Sequence, residues 1–398
     1  DHACNRYGVL GARYQNYRVP PGLWRQEISM IALRIRLLAL CLVLPAGSLH
    51  AQQAALSQGD SAAKREAKAM KKGEERAKES ASFYASIDPV DFTLTTNIKK
   101  IRGDKADKAP WRPASLTYTD PKGKVVSIPT TIRTRGIWRL KNCEFPPIRL
   151  NFKSEVTKGT LLEGIDKPKL VSFCKDNDTY ESFVTQELML YRIYNLLTPA
   201  SHRARLLHLT YADSATGKAQ ATRMAILLEE PEVMAARLGG PLVEMQGATP
   251  EYLVPYQDAL AAVFQYFIGN TDWSTYALHN VELVRAPDGN HLPVPFDFDF
   301  SGVINSPYAT VDPKLSIDKV RQRLFRGYCH TPEDFGKVFA TFNEKKSAIY
   351  ALYSDPIGKR LPQKTVDETL KYFDAFYSTI NDPHRVKSEI LDTCTKGK

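Results

Sequence analysis

The chain has 398 residues, 43% of them hydrophobic, 10% aromatic and 25% charged, with 54 Lys+Arg against 44 Asp+Glu and a net charge of +10. That composition belongs to a folded globular protein and excludes a mostly disordered, fibrous or multi-span membrane chain. The length allows about one to three domains, and the positive balance suggests an anionic partner.

The first Met is Met30, so residues 1–29 read as upstream translation rather than native protein. From Met30, two basic residues (Arg34, Arg36) precede the apolar run Leu37–Leu44, and Pro45, Gly47 and Ser48 break that run before Ala51. This is the layout of a signal peptide over 30–51. The run is too short for a ~20-residue membrane span, and no other stretch approaches that length. An uncleaved N-terminal anchor is the alternative. Cleavage after Ala51 removes six Arg and two acids, and leaves +6 over 347 residues. The four remaining cysteines, Cys143, Cys174, Cys329 and Cys394, permit disulfides in an exported chain. Pairing sequence neighbours favours Cys143–Cys174 and Cys329–Cys394; free buried thiols are the alternative. Residues 52–84 are charged and lack an apolar stripe. They read as a flexible linker or a marginal helix, and their mixed charges do not form a nucleic-acid patch.

Residues 85–230 alternate mostly as strands, including Phe92–Thr96, Leu116–Tyr118, Ile128–Arg135, Ile148–Phe152 and Lys169–Phe173. One helix interrupts them at Tyr180–Leu197, where Val184, Leu188 and Tyr191 recur at helical spacing and Pro199 stops the run. Two strands follow, Arg205–Tyr211 and Met224–Leu228. Residues 231–398 are mainly helical: an apolar helix spans Tyr256–Phe267, a hairpin turns around Asp288-Gly289-Asn290, and two or three amphipathic helices occupy about 331–392. The expected architecture is α+β and two-lobed like a protein kinase, with a β-rich N-lobe and a helical C-lobe.

One constellation carries chemistry. After the apolar helix a loop bears Asp272 and Asn280, and the return strand of the hairpin ends in Asp297-Phe298-Asp299. Phosphoryl transfer needs an acid to orient a hydroxyl, with an Asn and an Asp to hold Mg²⁺ or Mn²⁺ against ATP. The set contains hard oxygen ligands and no soft one. In the front half, Lys169 on a strand and Glu187 on the next helix match the lysine–glutamate arrangement that holds nucleotide phosphates, with Lys167 as a rival lysine. Arg135 and Arg149, in a basic group with Arg133 and Arg139, would contact phosphate oxygens. Glu229, at the end of the apolar strand Met224–Leu228, lies where an adenine would bind between lobes.

The block GNTDWS, then HN, then PFDFDFSG, together with Thr134-Arg135-Gly136 and PIRLNF at 147–152, resembles the CotH-type (spore coat protein H-like) atypical kinase family over about Arg133–Gly302. The resemblance implies a kinase-like fold, Asp272 as the catalytic acid, Asn280 and Asp297 as metal ligands and Asp299 as a further ligand. This chain departs from the pattern in showing no Gly-rich phosphate loop, and Gly136 is followed by Ile137-Trp138-Arg139.

The expectation is an exported phosphotransferase, periplasmic or secreted, that passes phosphate from ATP to an unknown acceptor. Protein Ser/Thr hydroxyls lead, with a glycan or a lipid also open. Nucleic acid is not an expected partner. A catalytically inactive envelope or secreted binding protein is the main alternative, and a metal-dependent hydrolase is a third.

Overall fold

The computed structural model describes residues 46–106, 109–136 and 138–397. The upstream segment and most of the leader lie outside the described residues. Arg65–Lys398 form one compact unit.

Of the two expectations for residues 52–84, linker or marginal helix, the structure shows a helix, α1 (Ala46–Glu79). Its last turns gain what the sequence pattern did not reveal, a docking partner. Arg76 is ion-paired with Glu230 and donates to the carbonyl of Gly164. Gly73 faces Ala236 so closely that an added Cβ would come within 2.5 Å of the alanine methyl. Small residues and one buried ion pair substitute for an apolar stripe.

Seven strands follow: β1 (Val90–Thr96), β2 (Arg112–Thr119), β3 (Val125–Thr134), β4 (Ile148–Asn151), β5 (Lys169–Val171), β6 (Ala204–Asp213) and β7 (Ala219–Leu228). They form a closed barrel in the order β1-β2-β3-β4-β5-β7-β6. All pairs are antiparallel except β1 with β6, which run parallel from Val90↔Leu207 to Thr96↔Asp213 and close the ring. Phe92, Leu94, Leu116, Ile132, Leu150 and Leu170 are buried in its core.

This corrects the expected two-lobed, kinase-like fold with a β-rich N-lobe and a helical C-lobe. Period-two alternation reports only that one strand face is buried. It is the same for an open sheet and for a barrel, and here closure depends on a pairing across more than one hundred residues of sequence. Closure also leaves no unpaired sheet edge.

Between β5 and β6 lies α2 (Asp178–Leu197). Asn177 caps it by accepting from the Tyr180 amide, and Asp178 and Glu181 complement the positive helix start. Its buried face carries Val184, Glu187, Leu188, Tyr191 and Tyr194. The helical region begins with α3 (Pro255–Ile268), which is buried from Gln257 onward. A small sheet in the order β10-β9-β8 adds β8 (Leu242–Val243), β9 (Val281–Arg285) and β10 (His291–Pro295). Two helices, α4 (Pro332–Ala351) and α5 (Gln363–Ile380), follow. The main apolar core runs from Phe83 to Ile390 and joins barrel to helices through residues such as Tyr191, Tyr194, Phe264 and Phe298, with two small clusters around Met234 and Leu253 beside it.

Two disulfides join Cys143 to Cys174 and Cys329 to Cys394, with Cα separations of 4.5 and 4.9 Å. No helix among the described residues is long and apolar enough to cross a membrane. The disulfides are compatible with an exported protein.

Candidate active site between barrel and helices

The site is built from the end of α3. Gly269 caps that helix in the left-handed conformation, φ 67°, and an added Cβ there would lie 2.0 Å from the Tyr372 hydroxyl oxygen. The buried Asn270 follows. Its amide donates to Gln265 Oε1 at 3.0 Å, and its Oδ1 accepts from the Asp272 amide at 3.0 Å. The cap therefore sets where Asp272 begins.

Asp272 is then held from two sides. His279 Nε2 lies 2.8 Å from Oδ1, and Asn280 Nδ2 donates to Oδ2 at 3.2 Å and to the Asp272 carbonyl at 2.7 Å. The Asp272 hydrogen bond raises the His279 pKa against the opposing effect of burial.

The hairpin brings in the remaining carboxylates. The β9–β10 register ends at Val281↔Pro295, and the Phe296 amide donates to the Asn280 carbonyl at 3.0 Å. Asn280 and Asp297 thus flank the same end of the hairpin. Both are left-handed, with φ of 53° and 63°. Non-glycine residues seldom adopt that conformation, and it concentrates at functional sites. The Asp297 amide donates to the hydroxyl oxygen of Tyr191 on α2 at 2.9 Å. The Asp297 carboxylate and Asn280 Oδ1 make no hydrogen bond among the described residues.

Asp299 is buried and paired with Arg139 at 3.4 Å. Burial first, and then the charge of Asp297, push its carboxyl up to about 7. Glu187 on α2 is 1% exposed, and its Oε1 has no partner. Burial and the neighbouring Asp299 and Asp297 raise its pKa well above the ordinary carboxyl range. Arg135 and Arg139 offset part of this crowding. Arg135 feels Asp297 and Glu187, although burial pulls its pKa down. For Arg139, burial also opposes the charge, and Asp299, Tyr308, Glu187 and Asp297 together outweigh it.

Lys169 does not bind Glu187. Its Nζ lies 3.3 Å from Glu282 Oε1 on β9 and 4.1 Å from the centre of the Phe296 ring. Glu282 also meets the buried His202 at 2.9 Å. Burial would raise the Glu282 pKa, but Lys169 and His202 outweigh it and hold it at about 2. The partner exchange has a simple cause. Glu187 projects toward the acids that follow β10, whereas Glu282 occupies the strand facing β5.

Three other expected residues stand apart. Glu229 is fully buried between Arg203, at 2.6 Å, and Arg237, at 3.0 Å. It braces the approach to the short helix Pro231–Arg237, and its side chain is spent there. Arg149 pairs across the sheet with Lys169 in register, but its Nε turns to the Lys167 carbonyl at 3.2 Å. Lys167 is exposed.

The structure therefore brings together Asp272, Asn280, Asp297, Asp299, Glu187 and Arg135, with Lys169 beside them through Glu282. Sequence reasoning missed Glu282, His202 and Tyr191. An acid between Val281 and Leu283 in an apolar strand was the available signal for the first.

Among the described residues no group of three His, Cys, Asp or Glu is gathered closely enough to bind a metal. The free Asp297 carboxylate and Asn280 Oδ1 nevertheless suit Mg²⁺ or Mn²⁺, which take one or two protein oxygens together with phosphates and water. No family model matches the chain, and no curated protein is significantly similar to it.

Proposed function

We propose that this site transfers phosphate from ATP to an acceptor hydroxyl, with protein Ser/Thr the leading acceptor class. The observation that supports it is the convergence of an Asn280-braced Asp272 with an Asp297 carboxylate that makes no hydrogen bond among the described residues, beside the half-buried Arg135 and Arg139. The resemblance of GNTDWS and PFDFDFSG to CotH-type kinases supports the same chemistry. It concerns the site and not the fold.

Asp272 would accept the hydrogen bond of the incoming hydroxyl and orient it. Asn280 Oδ1 and Asp297 would hold the divalent cation, with Asp299 alongside. Mg²⁺ or Mn²⁺, when bound, neutralises charge on the phosphates. Arg135, and Lys169 oriented by Glu282, would meet the phosphate oxygens. Two disulfides and the leader pattern support a periplasmic or extracellular location.

The test incubates the full chain with labelled ATP and Mg²⁺ or Mn²⁺. Label transfer that disappears in Asp272→Ala and Asp297→Ala is expected. No nucleotide binding, or labelling unchanged in both variants, would sink the reading.

A second reading, a nucleotide-binding protein without turnover, draws on one observation. Asp299, a candidate ligand, is already engaged by Arg139 at 3.4 Å. Metal-dependent nucleotide binding in calorimetry without label transfer would select it.

A further inference from the structure

Behind the loop that carries Asp272 lies a second cavity of about 440 Å³. It is bounded by that loop, by residues 324–328 and by the tail at 393–396. Its volume falls in the range of small-molecule sites, roughly 300–1,000 Å³. Trp273, Tyr276 and Phe325 supply flat apolar surface. Arg326 and Lys396 supply positive charge, and the one acid in the lining, Asp258, is already paired with His330 at 2.8 Å. Asp312 and Asp272, outside the lining, balance part of the Arg326 charge, and Lys396 leaves the lining itself net positive. Thr275, 4% exposed, lines it, and its hydroxyl has no partner.

Arg326 connects the cavity to the loop. Its Nη1 donates to the carbonyl of Thr271, and to that of Trp273 at 3.1 Å, so one nitrogen grips the carbonyls of the residues that flank Asp272. Its Nε and Nη2 make no hydrogen bond among the described residues. A guanidinium presents five N–H donors in a planar fork suited to carboxylate.

We infer that this cavity binds a small planar carboxylate, whose anionic end meets the free edge of Arg326 and Lys396 and whose ring lies among Trp273, Tyr276 and Phe325. Such a ligand acts on Asp272 through the two carbonyls that Arg326 holds. The inference does not require the phosphotransfer reading, because the ligand and nucleotide positions are different.

Calorimetry on the full chain with indole-3-acetate and its uncharged amide tests it. The acetate binds, the amide binds at least about tenfold more weakly, and Lys396→Gln weakens the acetate roughly threefold. Asp297→Ala leaves this binding unchanged. In NMR spectra the acetate moves the ring signals of His279, which reports on Asp272. Equal binding of acid and amide, no binding of either, or an acetate affinity untouched by both Lys396→Gln and Arg326→Lys would overturn the site. A His279 signal unmoved at saturation would overturn the link to Asp272.

Discussion

Lys169 on β5 is held by Glu282 on β9, at 3.3 Å, and so the barrel and the hairpin that carries Asn280 are joined by a buried ion pair. Both side chains are mostly hidden, with 13% and 16% exposure. Removing one partner of such a pair strands the other charge, at a cost of roughly 3–5 kcal/mol. Glu282→Ala is expected to lose about 3 kcal/mol in urea unfolding. Glu187→Gln, which relieves crowding with Asp297 and Asp299, is expected to stay within about 1 kcal/mol of the parent or to gain stability. If Glu187 were the partner of Lys169, the order of the two variants would reverse.

His279 should titrate above the ordinary histidine value of about 6.5 because its ring is bonded to Asp272. A raised histidine contributes stability that is fully present below the unfolded pKa and is lost as pH rises through the folded one. NMR titration of the ring is expected to give a value above that of a free imidazole, and Asp272→Asn should bring it back down. A ring that titrates identically in both proteins would show that the bond is absent in solution.

Asp299 sets a second pH dependence. Its folded pKa of about 7 exceeds the unfolded value of about 3.9. The folded chain then holds a proton that the unfolded chain has released, and this contribution to stability falls as pH rises from about 4 to about 7. In metal-free buffer Asp299→Asn should flatten that part of the stability–pH curve and raise the urea midpoint at pH 8. An unchanged curve would mean that Asp299 is ionised throughout.

Gly269 links helix packing to the site. Alanine at φ 67° carries a left-handed penalty of roughly 1–2 kcal/mol, and its Cβ would meet the Tyr372 hydroxyl. Gly269→Ala should cost at least about 2 kcal/mol. Pairing it with Tyr372→Phe, which removes the oxygen in the way, should recover part of the loss. Recovery measured by thermal unfolding separates the clash from the backbone term.

Much of the candidate site was readable in the sequence because it is local. Asp272, Asn280 and Asp297 sit at the ends of one helix and one hairpin, and the turn Asp288-Gly289-Asn290 marks where the hairpin folds. The strands of the front half were readable for the same reason, through alternation. What stayed hidden depends on contacts far apart in sequence. The parallel β1–β6 pairing that closes the barrel, and the docking of α1 through Gly73 and Arg76, leave no periodic trace. The lysine partner was misread because Lys169 and Glu187 are near in sequence, whereas Glu282 reaches Lys169 only after the chain has returned from α3.

The first disulfide supports the arginine that pairs with Asp299. Arg139 sits in the turn Trp138–Asn142, donates to the carbonyl of Ser172 and pairs with Asp299. Cys143 ends that turn and Cys174 follows Ser172, so the bond brackets both ends of the arginine's support. With free thiols, only non-covalent contacts hold that turn against β5. Reduction would therefore remove the one covalent hold on that turn, and loosening there would reach Asp299 through Arg139.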